Sequence, residues 1–157
     1  MSSPELIIRR AARVLLVDAA ERVLLMRGFD PATPEVRYWF TVGGGLDAGE
    51  TPPEGAAREA YEEIGLPLSA SDVGEPVWHD AVEFPFEGRW YRQEQDFFLV
   101  RVDAWEVDTS GLDEIERRST DGHRWWSVPE LVATSERFYP EQLPGLLTGL
   151  LTRDRSC

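Results

Sequence analysis

The chain predicts an α/β protein, a mixed sheet covered on both faces by helices, on two observations. Apolar, β-rich runs both precede and follow one strongly signalled central helix, and further helix signals close the chain. At 157 residues, with 42% hydrophobic and 29% charged, it can bury a full core. A single domain over 1–157 is expected, ordered from about residue 5 to about residue 152.

The elements follow in order. Arg13–Val17 and Val23–Arg27 are apolar stretches around Asp18-Ala19-Ala20-Glu21-Arg22, which predicts a hairpin. Phe29–Glu35, with Pro31 and Pro34, reads as a loop. Val36–Val42 is β-branched and aromatic and predicts a strand. It runs into Gly43, Gly44 and Gly45, which with Gly49 are expected to make a permissive loop of left-handed backbone and close ligand approach. Thr51 and Glu54 have the spacing of a capping box, Pro52 suits a first helical turn, and Gly65 followed by Pro67 is a stop. A helix over Pro52–Ile64 results.

Beyond it, Leu68–Glu75 reads as a connection, and Val77–Phe84 and Tyr91–Val102 as strands joined around Pro85-Phe86-Glu87-Gly88. The second is the more apolar and is expected in the middle of the sheet. Asp103–Gly122 reads as a long polar connection, a type that is often functional. His123–Val128 predicts a short strand, Pro129–Thr134 a short helix and Pro140–Thr152 a C-terminal helix.

On the central helix, Glu59, Glu62 and Glu63 share one sector, while Ala56, Ala57, Ala60, Tyr61 and Ile64 are expected on the opposite, buried side. Carboxylates three and four residues apart repel by about a few tenths of a kcal/mol per pair. Arg58, four residues before Glu62, relieves part of this; a bound divalent cation would relieve far more. Mg²⁺ suits such a site, because it uses few carboxylates and completes its octahedron with water and phosphate oxygens.

From Gly44 to Leu66 the chain has the pattern G-x5-E-x7-R-E-U-x-E-E-x-G-U, with U apolar, filled by Gly44, Glu50, Arg58, Glu59, Ala60, Glu62, Glu63, Gly65 and Leu66. This run resembles the Nudix box. The resemblance implies an α/β/α sandwich with a loop–helix–loop catalytic motif, and a Mg²⁺-dependent hydrolase, with Mn²⁺ as a substitute. Its substrates would be nucleoside diphosphates linked to another group. It implies Glu59, Glu62 and Glu63 as metal ligands, Glu50 and Arg58 as the pair bracing loop against helix, and Gly44 and Gly45 beside the substrate. A metal-activated water would attack one phosphorus of the diphosphate bridge. Relatives often use a further glutamate as base or ligand, and Glu114 and Glu116 are the candidates by position. Many relatives carry Pro before the double glycine; here Val42 is followed by a third glycine, Gly43. Dimers are common among relatives, so a homodimer is an expected partner.

Charge sets further bounds. Sixteen basic against 29 acidic side chains leave −13, which argues against binding duplex nucleic acid or anionic membranes. A phosphorylated substrate must be drawn locally, by cations and a few arginines. Arg27, Arg37 and Arg92 are candidate phosphate or ribose contacts, whereas Arg9, Arg10 and Arg13 read as a basic cluster offsetting nearby acids. Among the six tryptophans a base-stacking platform competes with burial, and burial is the commoner fate. His79 and His123 are too far apart to suggest a zinc site. Cys157 is the only cysteine, so no intrachain disulfide is expected. With Glu5 early, a short apolar Leu6–Ile8 and no bilayer-length run, a cytoplasmic location is expected.

Two other functions compete. A non-catalytic nucleotide sensor would share the fold but typically has an eroded box. An isomerase of allylic diphosphates would ask for an active-site cysteine, which Cys157 does not supply. Relatives acting on ADP-ribose or dinucleoside polyphosphates carry a Pro or a Tyr at a set distance past the box; Val82, Glu83 and Phe84 occupy that stretch, so neither class is supported.

Overall fold

A computed structural model describes residues 6–155. Glu5 and Cys157 lie outside the described residues. The chain runs β1 (Leu6–Val17), β2 (Val23–Gly28), β3 (Tyr38–Gly45), α1 (Pro52–Ile64), α2 (Ala70–Val73), β4 (Trp78–Phe86), β5 (Arg89–Arg101), α3 (Glu114–Ser119), β6 (Thr120–Trp126), α4 (Val128–Ala133), β7 (Phe138–Tyr139) and α5 (Leu143–Arg155).

These strands form one seven-stranded mixed sheet of order β4-β5-β1-β2-β3-β7, with β6 paired to β2 and a further pairing of β1 with β3. β1 runs parallel to β5 over its whole length and antiparallel to β3 from Ala11↔Gly45 to Val14↔Val42. The apolar β5 is therefore internal, as its composition predicts. Pro85, which cannot donate to a ladder, sits in β4, paired only to β5. The β4–β5 turn is tighter than expected: Glu87 and Gly88 both have positive φ, the geometry that matches the right-handed twist of a hairpin.

Two cores lie on the two faces of the sheet, because successive strand residues alternate sides. Val14, Leu16, Leu24, Met26 and Val42 meet Ala56, Ala60 and Ile64 of α1. Leu15, Val17, Val23, Leu25 and Trp39 meet Leu131 of α4 and Leu143 and Leu147 of α5. The result is the expected sandwich, with α1 on one face and α4 and α5 on the other.

Several expectations change. The polar connection is not all loop, because Asp113 and Glu116 form a capping box that starts α3, and β6 begins at Thr120 rather than His123. Ser69 caps a single helical turn, α2, inside the Leu68–Glu75 connection. The last helix starts at Leu143, since Phe138–Tyr139 pairs with β3 as β7 first. Tyr61 lies 63% exposed rather than buried, because the buried arc of α1 is displaced toward Glu59 and Glu63.

Candidate active site

α1 has both of its predicted ends. Thr51 accepts from the Glu54 N–H while the Glu54 side chain accepts from the Thr51 N–H, and Gly65 closes the helix in the left-handed conformation at φ 74°. Between them, Gly55, Ala56, Ala57, Ala60 and Ile64 are buried, and so are two glutamates, Glu59 at 7% and Glu63 at 5% exposure. Carboxylates this deep need partners. Glu63 Oε2 accepts the Gly43 N–H at 2.6 Å, and Glu59 Oε1 accepts Arg58 Nη1 at 3.1 Å. Glu59 Oε2 is buried with no hydrogen-bond partner.

Glu116 of α3 completes the group. One carboxylate oxygen from each of Glu59, Glu63 and Glu116 lies within 4.8 Å of the others. Burial, then the charge of Glu116, pushes the Glu59 carboxyl up to about 7. Glu63 is driven well up, by burial first and Glu59 second, and half-buried Glu116 is raised mainly by burial. Three crowded acids with an orphaned oxygen suit a hard divalent cation, which takes oxygen ligands and would offset their repulsion. The residues fit that group.

Arg58 occupies the flank of the cluster. Its Nε and Nη2 hold both oxygens of Glu50 at 2.8 and 2.9 Å, Nη1 reaches Glu59 and Glu62 at 3.1 and 2.9 Å, and Nη2 also donates to the Gly45 carbonyl at 2.9 Å. These contacts use all five guanidinium donors. They raise the Arg58 pKa, through Glu50 first, and lower that of Glu50, through Arg58 first. Glu50 Oε1 also accepts the Asp47 N–H, so the pair ties the 46–50 loop to α1.

The glycines act differently from a permissive loop. Gly43, Gly44 and Gly45 belong to β3, and of the four candidates only Gly43 (φ 134°) and Gly49 (φ 77°) have positive φ. Their smallness serves close approach: a Cβ on Gly44 would lie 2.9 Å from a Glu59 oxygen, and one on Gly45 would meet the Arg9 guanidinium at 2.4 Å.

The remaining candidates divide. Glu62 is half-buried in an ion pair with Arg58 and outside the close trio; Glu114 is exposed on α3 and likewise outside it. Gly44, Gly45, Glu50, Arg58, Glu59, Glu62 and Glu116 all line one cleft of about 780 Å³. Arg27 and Arg37 are elsewhere, sharing Asp121 at 2.8 and 2.7 Å, and Arg92 pairs with Glu83 at 3.2 Å. Besides Arg58, the cleft holds Arg9 and Arg10, joined by the exposed side chains of Ile8 and Ile115. Nothing local in the sequence signals these, because only the antiparallel β1–β3 pairing and α3 bring them to the box.

A family model described as the NUDIX domain matches residues 7–146. An RNA pyrophosphohydrolase of Rhodospirillum rubrum is 31% identical over 140 residues, 85% of this chain and 81% of its own. One of Erythrobacter litoralis is 32% identical over 131 residues, 78% of this chain and 77% of its own. Among solved structures, a MutT protein from Methanosarcina mazei superimposes with a TM-score of 0.66 at 18% identity, covering 97% of this chain and 99% of that one. A C. elegans Ap4A hydrolase gives 0.58 at 15% identity, covering 95% and 99%.

Proposed function

From the chain's membership of the Nudix hydrolase family, we propose that it is a Mg²⁺-dependent pyrophosphohydrolase of nucleotide-linked diphosphates, acting in the cleft above α1. One observation carries the reading: Glu59, Glu63 and Glu116 converge within 4.8 Å beside the close-packed Gly44, with one buried Glu59 oxygen unpartnered. These three would hold the cation. When bound, Mg²⁺ would neutralise phosphate charge and acidify a coordinated water.

The chain's own residues supply the rest. Glu50 and Arg58 fix the 46–50 loop against the helix, so the cleft wall is set before substrate arrives. Glu116 is the least buried of the trio and stands on a different element from the other two. That placement suits a carboxylate that takes the proton from a water attacking phosphorus. Arg9 and Arg10, in the cleft lining, are the arginines that would meet phosphate, Arg10 from a long 3.8 Å pair with Asp96, since Arg58 has no donor to spare.

A second reading of the substrate follows from the curated relatives, whose names specify RNA. The charge of −13 opposes extended contact with a nucleic acid but not capture of one end of a chain. A panel of nucleoside triphosphates, sugar nucleotides, dinucleoside polyphosphates and 5′-polyphosphorylated RNA, with Mg²⁺ or Mn²⁺ and ¹⁸O-labelled water, tests both. Label should enter a phosphoryl product, and Glu63→Gln should abolish turnover while staying folded. Isothermal binding with no product over hours would identify a sensor instead.

A further inference from the structure

We propose that Arg13 is a positioning residue for this site, holding Glu63 in place through the backbone of Gly43, and that Gln95 and Asp80 set Arg13 in turn. The inference rests on the reading of Glu63 as a cation ligand.

Gly43 is the junction. Its N–H donates to Glu63 Oε2 at 2.6 Å, and its carbonyl accepts Arg13 Nη1 at 2.8 Å. Arg13 comes from β1, between β3 and β5, and reaches both neighbours. The same Nη1 donates to the Thr41 carbonyl at 3.3 Å, and Nε donates to Gln95 Oε1 at 2.8 Å. Gln95 cannot turn its amide over freely, because its Nε2 donates to Asp80 Oδ1 at 2.8 Å. Gln93 Nε2 donates to the same Gln95 oxygen at 2.8 Å. Gln93 and Gln95 are only 2% and 6% exposed, so the relay is sheltered from water. It runs from Asp80 on β4 across three strands to a buried carboxylate on α1.

The register explains why Gly43 must be held. It departs from strand geometry at φ 134°, and a Cβ there would meet the Ala12 carbonyl at 2.1 Å, so no side chain can anchor it. Its position falls to hydrogen bonds from neighbours. A half-buried guanidinium is costly where an apolar side chain would fit more cheaply. What Arg13 adds is a planar fork that fixes two β3 carbonyls and one β5 amide together. Support of this kind orients metal ligands from behind, and its loss weakens metal affinity about 10–100-fold.

The test uses Arg13→Lys, which keeps the charge and loses the fork, and Asp80→Ala, which frees the Gln95 amide from the outer end. Free Mn²⁺ is counted by electron paramagnetic resonance, needing no substrate, alongside kcat, KM and urea unfolding. Arg13→Lys should bind Mn²⁺ about ten-fold more weakly. Its kcat should fall with KM little changed, and Asp80→Ala should move both the same way by less. If Arg13→Lys does not fold, Asp80→Ala decides alone. Wild-type Mn²⁺ affinity in the folded variants would overturn the proposal and leave the hydrolase reading intact. Absence of Mn²⁺ binding by the wild-type protein would remove both.

Discussion

Replacing Glu116 by Gln should raise the stability of the metal-free protein and at the same time weaken its response to a cation. The substitution removes one charge from the trio but keeps the oxygen that accepts the Asp113 N–H, so the capping box of α3 survives. The Glu59 carboxyl is pushed up to about 7, by burial first and by Glu116 second. With an ordinary value of 4.5 and about 1.36 kcal/mol per pKa unit, ionised Glu59 costs the fold about 3 kcal/mol. Burial takes the largest share, which leaves about 1 kcal/mol to relief of the Glu116 charge. The sign follows from proton binding. A carboxyl whose pKa is raised on folding keeps a proton that the unfolded chain has released, so metal-free stability declines as pH rises from about 4.5 to 7. Glu116→Gln should lessen that decline. Urea unfolding in EDTA should show the variant more stable by about 1 kcal/mol at pH 8, a melting shift of about 2–4 °C, and no different near pH 5. With Mg²⁺ the order should reverse, and kcat should drop. Equal metal-free stability at pH 8, together with an undiminished Mg²⁺-induced shift, would refute the reasoning.

Gly43→Ala should cost about 3 kcal/mol or more, because strained φ and a backbone clash with Ala12 act together; chemical unfolding measures it. Glu63→Gln should lower kcat by about a thousand-fold or more in steady-state assays while the circular dichroism spectrum is retained. Arg58→Lys should lose the two-point hold on Glu50 and destabilise by about 1–2 kcal/mol, with the 46–50 loop showing faster hydrogen exchange. Asp121→Asn should leave kcat unchanged and cost less than about 1 kcal/mol, since its pairs with Arg27 and Arg37 are partly exposed and outside the cleft.

Local signals were readable where the chain satisfies its own backbone. Both ends of α1 follow from Thr51, Glu54, Pro52 and Gly65, and the capping box and left-handed stop stand where those residues put them. The strands lining the core followed from apolar runs and β-branched or aromatic content. Signals failed where a distant partner decides. Periodicity placed Glu59 and Glu63 opposite the apolar stripe, yet they sit at its edge, because Gly43 and Glu116 give them polar company inside. Asp113 and Glu116 have the same capping-box spacing as Thr51 and Glu54, which could have revealed α3 inside the polar connection. Arg9 is invisible as a cleft residue until β1 is laid between β3 and β5. Arg13 was grouped with Arg9 and Arg10 by sequence proximity, although alternation separates it from Arg10, and its bonds to Gln95 and the Gly43 carbonyl set it apart from Arg9.

The distribution of positive charge explains how so acidic a chain can handle a polyphosphate. The arginine nearest the chemistry, Arg58, is saturated by Glu50, Glu59, Glu62 and the Gly45 carbonyl, so it stabilises the wall and cannot also receive a phosphate oxygen. Arg13 is committed to Gln95 and to β3 carbonyls. Arg27 and Arg37 are spent on Asp121. Glu59 and Glu116 line the cleft with buried Glu63 close beside them, three carboxyls whose pKa values are raised by burial first, with repulsion from neighbouring carboxylates added. A phosphate approaching them alone would meet the same repulsion. A divalent cation bound there would be the counter-charge for both the glutamates and the substrate, and Arg9 and Arg10 in the cleft lining would then serve capture rather than chemistry.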